Sequence, residues 1–257
     1  MTSDHSAQPT PQADATHEPV EDGGSADAPP QSPRRRRQVP LALAVLGNLV
    51  VALIIVSLVQ AFLVRVHNVA SGSMEQTLGV SDRVLSSDLP YLSSSPQLGD
   101  VIIFGHGLTW NDAALPPTSD PWEAAARLFG DVTGIGTSSK VFTVKRVLGR
   151  PGDQVSCCDA NGRVVVNGMA MVEPYIYEDL PFEVGHLDCS TTPASPRCFG
   201  PITVPRDHYF VLGDHRSNSA DSAAQCRGNR RSECATLVRA ERITGKVIAK
   251  AWPPGPI

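Results

Sequence analysis

The stretch FTVKRVLGRPGD, residues 142–153, places a lysine and an arginine side by side inside an apolar run typical of a β-strand. Alternate side chains of a strand point to opposite faces, so Lys145 shares a face with Thr143 and Val147. Arg146 points the other way, and the two cations cannot both face water. A lysine that points into a core is costly unless it is neutral or paired. The alternative is an exposed lysine on a two-sided edge strand.

Further β-type runs lie on both sides of this stretch, separated by turn residues: RVLSSDL, GDVIIFG, DQVSCC, RVVVNGMAM, ITVPRDHYFVLGD and RITGKVIAKAW. The dipeptides Asn161-Gly162 and Asn167-Gly168 predict tight type I′ hairpin turns. One helix is predicted over DPWEAAARLFG, with Asp120 as its cap and Gly130 as its stop. The pattern predicts a mostly β, antiparallel folded-sheet domain.

Before this domain, residues 41–64 form an uncharged apolar run that as a helix would span about 36 Å, enough to cross a bilayer. Four arginines, residues 34–37, precede the run and only Arg65 closely follows it. The positive-inside rule therefore predicts a cytoplasmic N-terminus and an extracytoplasmic β domain. A cleavable secretory signal has a shorter apolar region of about 7–15 residues. A buried soluble helix would need a polar face, which the run lacks.

Residues 1–33 are rich in Pro, Ala, Ser, Asp and Glu and contain no aromatic residue, which is typical of a disordered tail. We therefore predict three parts: a cytoplasmic tail (1–38), a transmembrane helix (39–65) and an extracytoplasmic catalytic domain (66–257). The net charge of −4 sums the acidic tail and the arginine cluster and gives no indication of nucleic-acid binding.

All six cysteines follow the apolar run, which fits an oxidising location and structural disulfides. Cys189 with Cys198, and Cys226 with Cys234, are close enough in sequence to staple local loops, although six cysteines allow 15 pairings. A zinc site is the alternative, but no CxxC pair or histidine cluster accompanies them. We predict no metal and no cofactor.

A possible nucleophile lies in SGSMEQTL, residues 71–78, directly after the apolar run. On its own this stretch is typical of a solvated linker. Burial can lower the pKa of a lysine far enough for the neutral amine to accept a proton from a serine, and Ser-Lys pairs are a known variant of the catalytic triad. Histidine is the other base to consider, and His106, His186, His208 and His215 are candidates in the β domain.

A third stretch, VLGDHRSNSADS at residues 211–222, contains acids, hydroxyls, an arginine and a histidine directly after an apolar strand. It reads either as an ordinary polar turn or as a set of groups that positions a buried lysine. With SGSMEQTL, GDVIIF and FTVKRVLGRPGD in this order after an apolar anchor, the chain resembles the bacterial type I signal peptidases, a family of Ser-Lys proteases. The resemblance covers residues 68–252 and the anchor.

The resemblance implies a role for particular residues. Ser73 would be the nucleophile and Lys145 the general base, while Ser71 and the backbone N–H of Ser73 would stabilise the oxyanion. Ser219 would orient the lysine, and Met74 would contact substrate. The implied supporting ion pairs involve Asp214, Asp221 and Arg146.

The chain departs from the family pattern at several positions. Gln76 replaces the usual proline of the first box. His215 and Ser217 flank Arg216 where the family commonly has Asn and Asp, and Ala223 occupies the position of an arginine that often follows the last serine. These departures put one supporting ion pair in doubt.

The resemblance also implies an activity: cleavage of signal peptides from preproteins emerging from the export machinery at the plasma membrane, with small residues at the first and third positions before the cut. The lipid bilayer is the other expected partner. Self-cleaving repressors share Ser-Lys chemistry but have a DNA-binding helix-turn-helix and no anchor. Two further alternatives are an inactive anchored β domain and self-cleavage after Ala70.

Overall fold

The first eight residues of FTVKRVLGRPGD form strand β4, Phe142–Gly149, near the middle of the larger of two sheets. The structure is a computed structural model, and it describes residues 40–105, 110, 118–133, 142–228 and 233–257. The predicted tail, the arginines at 34–37 and His106 lie outside the described residues.

The described elements, in chain order, are three α-helices and eleven strands. The helices are α1 Leu41–Phe62, α2 Pro90–Ser93 and α3 Pro121–Thr133. The strands are β1 Arg65–Asn68, β2 Arg83–Ser87, β3 Val101–Gly105, β4 Phe142–Gly149, β5 Gln154–Cys157, β6 Val164–Val166, β7 Met169–Ala170, β8 Phe199–Thr203, β9 His208–Leu212, β10 Val238–Arg239 and β11 Ile243–Trp252.

The strands form two antiparallel sheets. The first has seven strands in the order β1-β2-β11-β3-β4-β9-β10, and the second has four in the order β7-β6-β5-β8. Every strand pair within them is antiparallel, so the predicted mostly β, antiparallel folded-sheet class is confirmed.

Strand β4 is buried on both faces because β3 and β9 flank it and apolar clusters pack against both sides. Leu148 packs with Phe199 and Phe210 on one side, while Val147 packs with Ile102 and other side chains on the other. Both Lys145 and Arg146 are therefore buried, with 2% and 8% of their surface exposed. The alternative of an exposed edge lysine is wrong.

Helix α1 coincides with the apolar run and is long and apolar enough to cross a membrane, with a mean hydropathy of 2.8 over Leu41–Val59. The side chains of Leu41–Val59 are exposed, apart from the half-buried Ser57, unlike those of a soluble core helix. The alternative of a buried soluble helix is therefore wrong.

Helix α3 begins as predicted, with an Asp120 carboxylate oxygen accepting a hydrogen bond from the N–H of Trp122 at 2.9 Å. It continues to Thr133, so Gly130 does not stop it. A single glycine inside a helix costs only about 1 kcal/mol, which the remaining turns offset.

Both predicted hairpins form, but their turns differ. Asn167 and Gly168 have φ values of 51° and 81°, as a type I′ turn between β6 and β7 requires. Between β5 and β6 only Gly162 has positive φ, so the type I′ prediction at Asn161-Gly162 is wrong. Asp159 organises that longer loop, because its carboxylate accepts hydrogen bonds from the N–H groups of Asn161 and Arg163.

The six cysteines form three disulfides, which confirms the prediction of structural disulfides and of both local loop staples. Two bonds join Cys189 to Cys198 and Cys226 to Cys234, and the third joins the neighbours Cys157 and Cys158. No free thiolate remains among them to bind zinc, although three of the sulfurs lie within 4.8 Å of one another.

Gln76, which stands where the family usually has proline, has a φ of 74°. The turn that follows the short 3₁₀ helix Gly72–Met74 is closed by a hydrogen bond from the N–H of Leu78 to the carbonyl of Met74, at 2.6 Å. A proline ring fixes φ near −65° and cannot enter this left-handed conformation. The backbone of this turn therefore excludes the residue that the family pattern would place there.

We expect Gln76→Pro to lower the free energy of unfolding by about 3 kcal/mol, because the ring forces the turn out of its conformation. Gln76→Gly is the matched control and should stay within about 1 kcal/mol of the unchanged protein, since glycine adopts positive φ freely. Urea unfolding of the purified chain in detergent measures both. Equal stability of the proline variant and the unchanged protein would contradict this account of the turn.

Candidate active site

The larger sheet brings together Ser73 and Lys145, which the sequence predicts as nucleophile and general base. Ser73 lies in the 3₁₀ helix after β1, and Lys145 lies on β4 opposite Ile102 of β3. The Lys145 Nζ and the Ser73 Oγ are 2.5 Å apart, a short hydrogen bond, and both residues are buried. A hydroxyl and an amine 72 positions apart in sequence thus share one pocket.

Burial lowers the pKa of Lys145 to about 8, because removing the ammonium from water disfavours its charged form. The carboxylates of Asp221 and Asp214 act in the opposite direction and raise the pKa. Desolvation is the larger effect, so a substantial fraction of the amine is neutral near pH 8. A neutral amine can accept the proton of the Ser73 hydroxyl.

Ser71, the other serine of the SGSMEQTL stretch, immediately precedes the 3₁₀ helix. Its Oγ lies 3.3 Å from the Oγ of Ser73, at hydrogen-bond distance. Ser71 is exposed whereas Ser73 is buried, so the two hydroxyls occupy different surroundings. Met74 is 1% exposed and packs among Val69, Leu78 and other core side chains, and its role in substrate binding stays a prediction.

Asp214 and Arg146 form a bidentate ion pair directly behind the lysine. The Arg146 Nε and Nη2 donate to the two Asp214 oxygens at 2.9 and 2.6 Å, and the guanidinium stacks 3.8 Å from the centre of the Tyr175 ring. Thr77 also donates to Asp214, at 2.6 Å. The carboxylate thus joins the turn after Ser73, which contains Thr77, to β4 by charge-assisted hydrogen bonds.

Asp221 has a different cationic partner from the one that the family pattern suggests. Ala223 stands at the position of the usual arginine, but the Nη2 of Arg227 reaches both Asp221 oxygens, at 3.1 and 2.9 Å. Arg227 follows Cys226, whose disulfide to Cys234 staples this loop. The sequence reasoning missed this arginine, and its one signal was the cysteine next to it.

Gly213 permits the close approach of β9 to the nucleophile. A Cβ at this position would lie 2.5 Å from the carbonyl oxygen of Ser73 and would also collide with the Oγ of Ser219. The Ser219 Oγ is buried and has no hydrogen-bond partner among the described residues. Gly213 lies against both Ser219 and Ser73, so the two serines are neighbours. The role of Ser219 in orienting Lys145 stays a prediction.

The histidines that were considered as bases are engaged elsewhere in the described structure. The ring nitrogens of His215 lie 2.7 Å from a Glu75 oxygen and 3.2 Å from a Glu178 oxygen. His208 contacts the backbone carbonyl of Arg206, and His186 lies in an exposed loop. The backbone N–H of His215 donates to the Ser73 carbonyl at 3.1 Å.

Arg216, between the two departures from the family pattern, is buried with Glu173. Their side chains are 4% and 3% exposed, and the Arg216 Nη2 donates to the Glu173 carboxylate at 2.5 Å. The Arg216 Nε donates to the Gly213 carbonyl at 3.0 Å. This ion pair, which the sequence reasoning also missed, ties the segment after β9 to a segment 43 positions earlier.

A buried serine hydroxyl joined to a buried lysine amine on an antiparallel scaffold has the composition of a serine hydrolase site. The comparisons with known proteins narrow this class. The family model "Signal peptidase, peptidase S26" matches residues 42–252. The chain therefore belongs to the signal peptidase family, peptidase S26, and is a serine endopeptidase.

Two relatives of known sequence agree with this assignment. The chain is 32% identical to signal peptidase I of Mycobacterium tuberculosis over 94% of this chain and 82% of that protein. It is 30% identical to signal peptidase I P of Bacillus subtilis subsp. natto over 68% of this chain and 74% of that one. A solved signal peptidase I from Enterococcus faecalis V583 has 20% identity and a TM-score of 0.31, covering 60% of this chain and 98% of that chain.

We expect Arg227→Met to lower the free energy of unfolding by about 3 kcal/mol, because it leaves the fully buried Asp221 carboxylate without its counter-ion. Arg227→Lys should recover part of the loss. The matched control is Arg239→Met, which breaks the exposed pair with Glu241 and should cost less than about 1 kcal/mol. Urea unfolding measures all three, and equal losses for both methionine variants would overturn the assignment of Arg227.

Proposed function

We propose that this chain is a membrane-anchored endopeptidase that removes signal peptides from exported preproteins, with Ser73 as nucleophile and Lys145 as general base. The observation that carries the proposal is the 2.5 Å hydrogen bond between the two buried side chains. Membership of the signal peptidase family supports the choice of substrate.

In the proposed reaction, the Ser73 Oγ attacks the scissile carbonyl carbon while Lys145 takes the hydroxyl proton. The developing oxyanion is stabilised by the Ser71 hydroxyl and the backbone N–H of Ser73, and loss of one such donor typically costs about 10²–10³ in rate. Lys145 then protonates the leaving amine. A water molecule, deprotonated by the same amine, hydrolyses the acyl-enzyme and releases the signal peptide.

The surrounding groups position the base and set its charge. Asp214 and Asp221 are held by Arg146 and Arg227, and Ser219 is proposed to orient the lysine. The preferred substrates have small residues at the first and third positions before the cut.

The proposed topology follows from α1 and the arginines that precede it. Residues 1–38 form the cytoplasmic tail, residues 39–65 span the plasma membrane once, and residues 66–257 form the extracytoplasmic catalytic domain. This orientation places the site on the side where preproteins leave the export machinery, and it puts the disulfides in an oxidising location.

We expect Ser73→Ala and Lys145→Ala each to reduce cleavage of a synthetic signal-peptide substrate by at least about 10⁴-fold, because each removes one half of the catalytic pair. The assay uses the purified full chain in detergent. The matched controls, Ser190→Ala and Lys250→Ala, change residues outside the proposed site and should cleave at nearly the unchanged rate. Normal cleavage by either site variant would disprove the mechanism.

The pKa of Lys145 predicts the pH dependence of the reaction. Below about 8 the amine is protonated and cannot act as a base, so kcat/KM should rise with pH and level off above about 8. Because the Asp221 carboxylate raises this pKa, Asp221→Asn should move the midpoint to lower pH.

The control for this shift is Glu241→Gln, which removes an exposed carboxylate and should leave the midpoint unchanged. An unchanged midpoint in the Asp221→Asn variant, with measurable activity, would show that another group controls the profile.

A further inference from the structure

The histidine at position 215 contacts the short 3₁₀ helix that carries Ser73 at several points. Its backbone N–H donates to the carbonyl of Ser73 at 3.1 Å, and its ring Nδ1 lies 3.2 Å from the carbonyl oxygen of Gly72. The same Nδ1 lies 2.7 Å from a carboxylate oxygen of Glu75, the residue that ends this helix. One residue thus binds both the backbone and the last side chain of the helix.

The neighbours of the ring assign the proton on Nδ1. Both groups that face this nitrogen, a carbonyl and a carboxylate, only accept hydrogen bonds, so Nδ1 is the donor to them. His215 is 6% exposed, and a hydrogen bond to a carboxylate is stronger when it is removed from water. The contact from Nδ1 to Glu75 is therefore a firm attachment of the helix.

The other side of the ring has a weaker partner. Nε2 lies 3.2 Å from a carboxylate oxygen of Glu178, whose side chain is 61% exposed. A longer contact to a carboxylate in water contributes little. Tyr177 packs edge-on against the ring with the two centroids 5.0 Å apart, and its backbone forms a parallel bridge with that of His215. The ring is thus fixed in place on this side and holds the 3₁₀ helix on the other.

The helix needs such an attachment because it is only three residues long. A single helical turn does not maintain its own conformation. Lys145 is fixed by the pairing of β4 with β3, so the 2.5 Å distance between its Nζ and the Ser73 Oγ depends on what holds the helix. Thr77 ties the later part of this turn to Asp214, and the neighbouring His215 ties the earlier part.

We propose that His215 is a positioning residue for the reaction: its Nδ1 and its backbone N–H hold the 3₁₀ helix so that the Ser73 hydroxyl stays within reach of Lys145. The inference rests on the proposed roles of Ser73 and Lys145. It also gives a physical reading of one departure from the family pattern. An asparagine, which the family commonly has here, offers a donor where Nδ1 lies but does not extend to Glu178.

Two amide variants separate the two sides of the ring. The side-chain nitrogen of His215→Asn replaces Nδ1 and keeps the donor to Glu75, whereas that of His215→Gln replaces Nε2 and keeps the donor to Glu178. The full chain in detergent cleaves a synthetic signal-peptide substrate in this assay. His215→Asn should retain kcat within about threefold. His215→Gln should lower kcat by about 10²-fold with KM within about twofold, because a displacement of about 1 Å misaligns the reacting groups without removing a substrate contact.

The matched control is His208→Gln, the same chemical change at the other end of β9. His208 contacts the backbone carbonyl of Arg206 and should be replaceable at nearly the unchanged rate. Urea unfolding of the two variants at position 215 should give similar midpoints. A loss of kcat in His215→Gln alone then reports the position of Ser73 and not the loss of the fold.

The two carboxylates provide a second comparison. Glu75→Gln should lower kcat by about tenfold, whereas Glu178→Gln should stay within about twofold, because only Glu75 belongs to the turn that carries Ser73. In the Glu75→Gln background, His215→Gln should cost less than it does in the unchanged protein, since both changes break the same contact.

Three results would overturn the inference. The first is equal kcat for His215→Asn and His215→Gln, and the second is a larger loss in His215→Asn. The third is a rise in KM with kcat unchanged, which would make His215 a contact for substrate.

Labelling of Ser73 by a β-lactam acylating agent tests the same inference without a peptide substrate. The Ser73 Oγ opens the lactam amide and forms an ester, so the protein gains the whole mass of the agent, and mass spectrometry measures the rate. His215→Asn should be labelled much faster than His215→Gln, and equal rates would overturn the inference. If the unchanged protein is labelled at Ser73 but does not cleave signal peptides, the proposed substrate is wrong and the order of labelling still decides the role of His215. An unchanged protein that is neither labelled nor active would overturn both proposals.

Discussion

The burial of the Lys145 amine against the Ser73 hydroxyl is the constraint on which the rest of the structure depends. Desolvation alone would lower the pKa of the lysine, and two nearby carboxylates would raise it again. Each carboxylate has its own guanidinium, Arg146 for Asp214 and Arg227 for Asp221. Each of the two carboxylates near the amine is thereby bound to a guanidinium of its own. Desolvation is the larger effect on the amine, so burial controls the pKa of Lys145.

These groups meet because of strand register more than local sequence. Arg146 on β4 pairs with Leu212 on β9, so the next residues after β9 emerge beside the lysine. Gly213 lets that emerging backbone approach the Ser73 carbonyl, where any Cβ would collide. A small shift of β9 along β4 would separate Asp214 from Arg146 and leave two charges buried without partners. The sheet core and the Ser73–Lys145 pair are therefore specified together.

Much of this arrangement could be predicted from the sequence, because it depends on local patterns. Alternation in residues 142–149 placed the lysine inward, and the Asn167-Gly168 turn followed from the conformational freedom of its residues. The Arg227–Asp221 pair could not be predicted, since it depends on the path of a disulfide-stapled loop. The Arg216–Glu173 pair could not be predicted either, because its members are 43 positions apart in sequence and strands β8 and β9 lie between them along the chain. The excluded proline at Gln76 depends on a backbone angle that residue types do not reveal.

The pair of strands β1 and β2 connects the chemistry to the proposed membrane anchor. β1 has four residues and so spans about 13 Å, which limits the distance between the end of α1 and the nucleophile turn. His67 on β1 contacts the Ser86 Oγ of β2 at 2.9 Å, and burial, with a smaller effect of Arg65, lowers its pKa to about 4. The ring is therefore neutral at physiological pH, and the contact adds no buried charge. When α1 spans the membrane, a connection of this length keeps Ser73 close to the lipid surface, where the cleavage site of a membrane-held substrate would meet it. Part of the selectivity of the enzyme would then come from the height of its site, in addition to the shape of its substrate pockets.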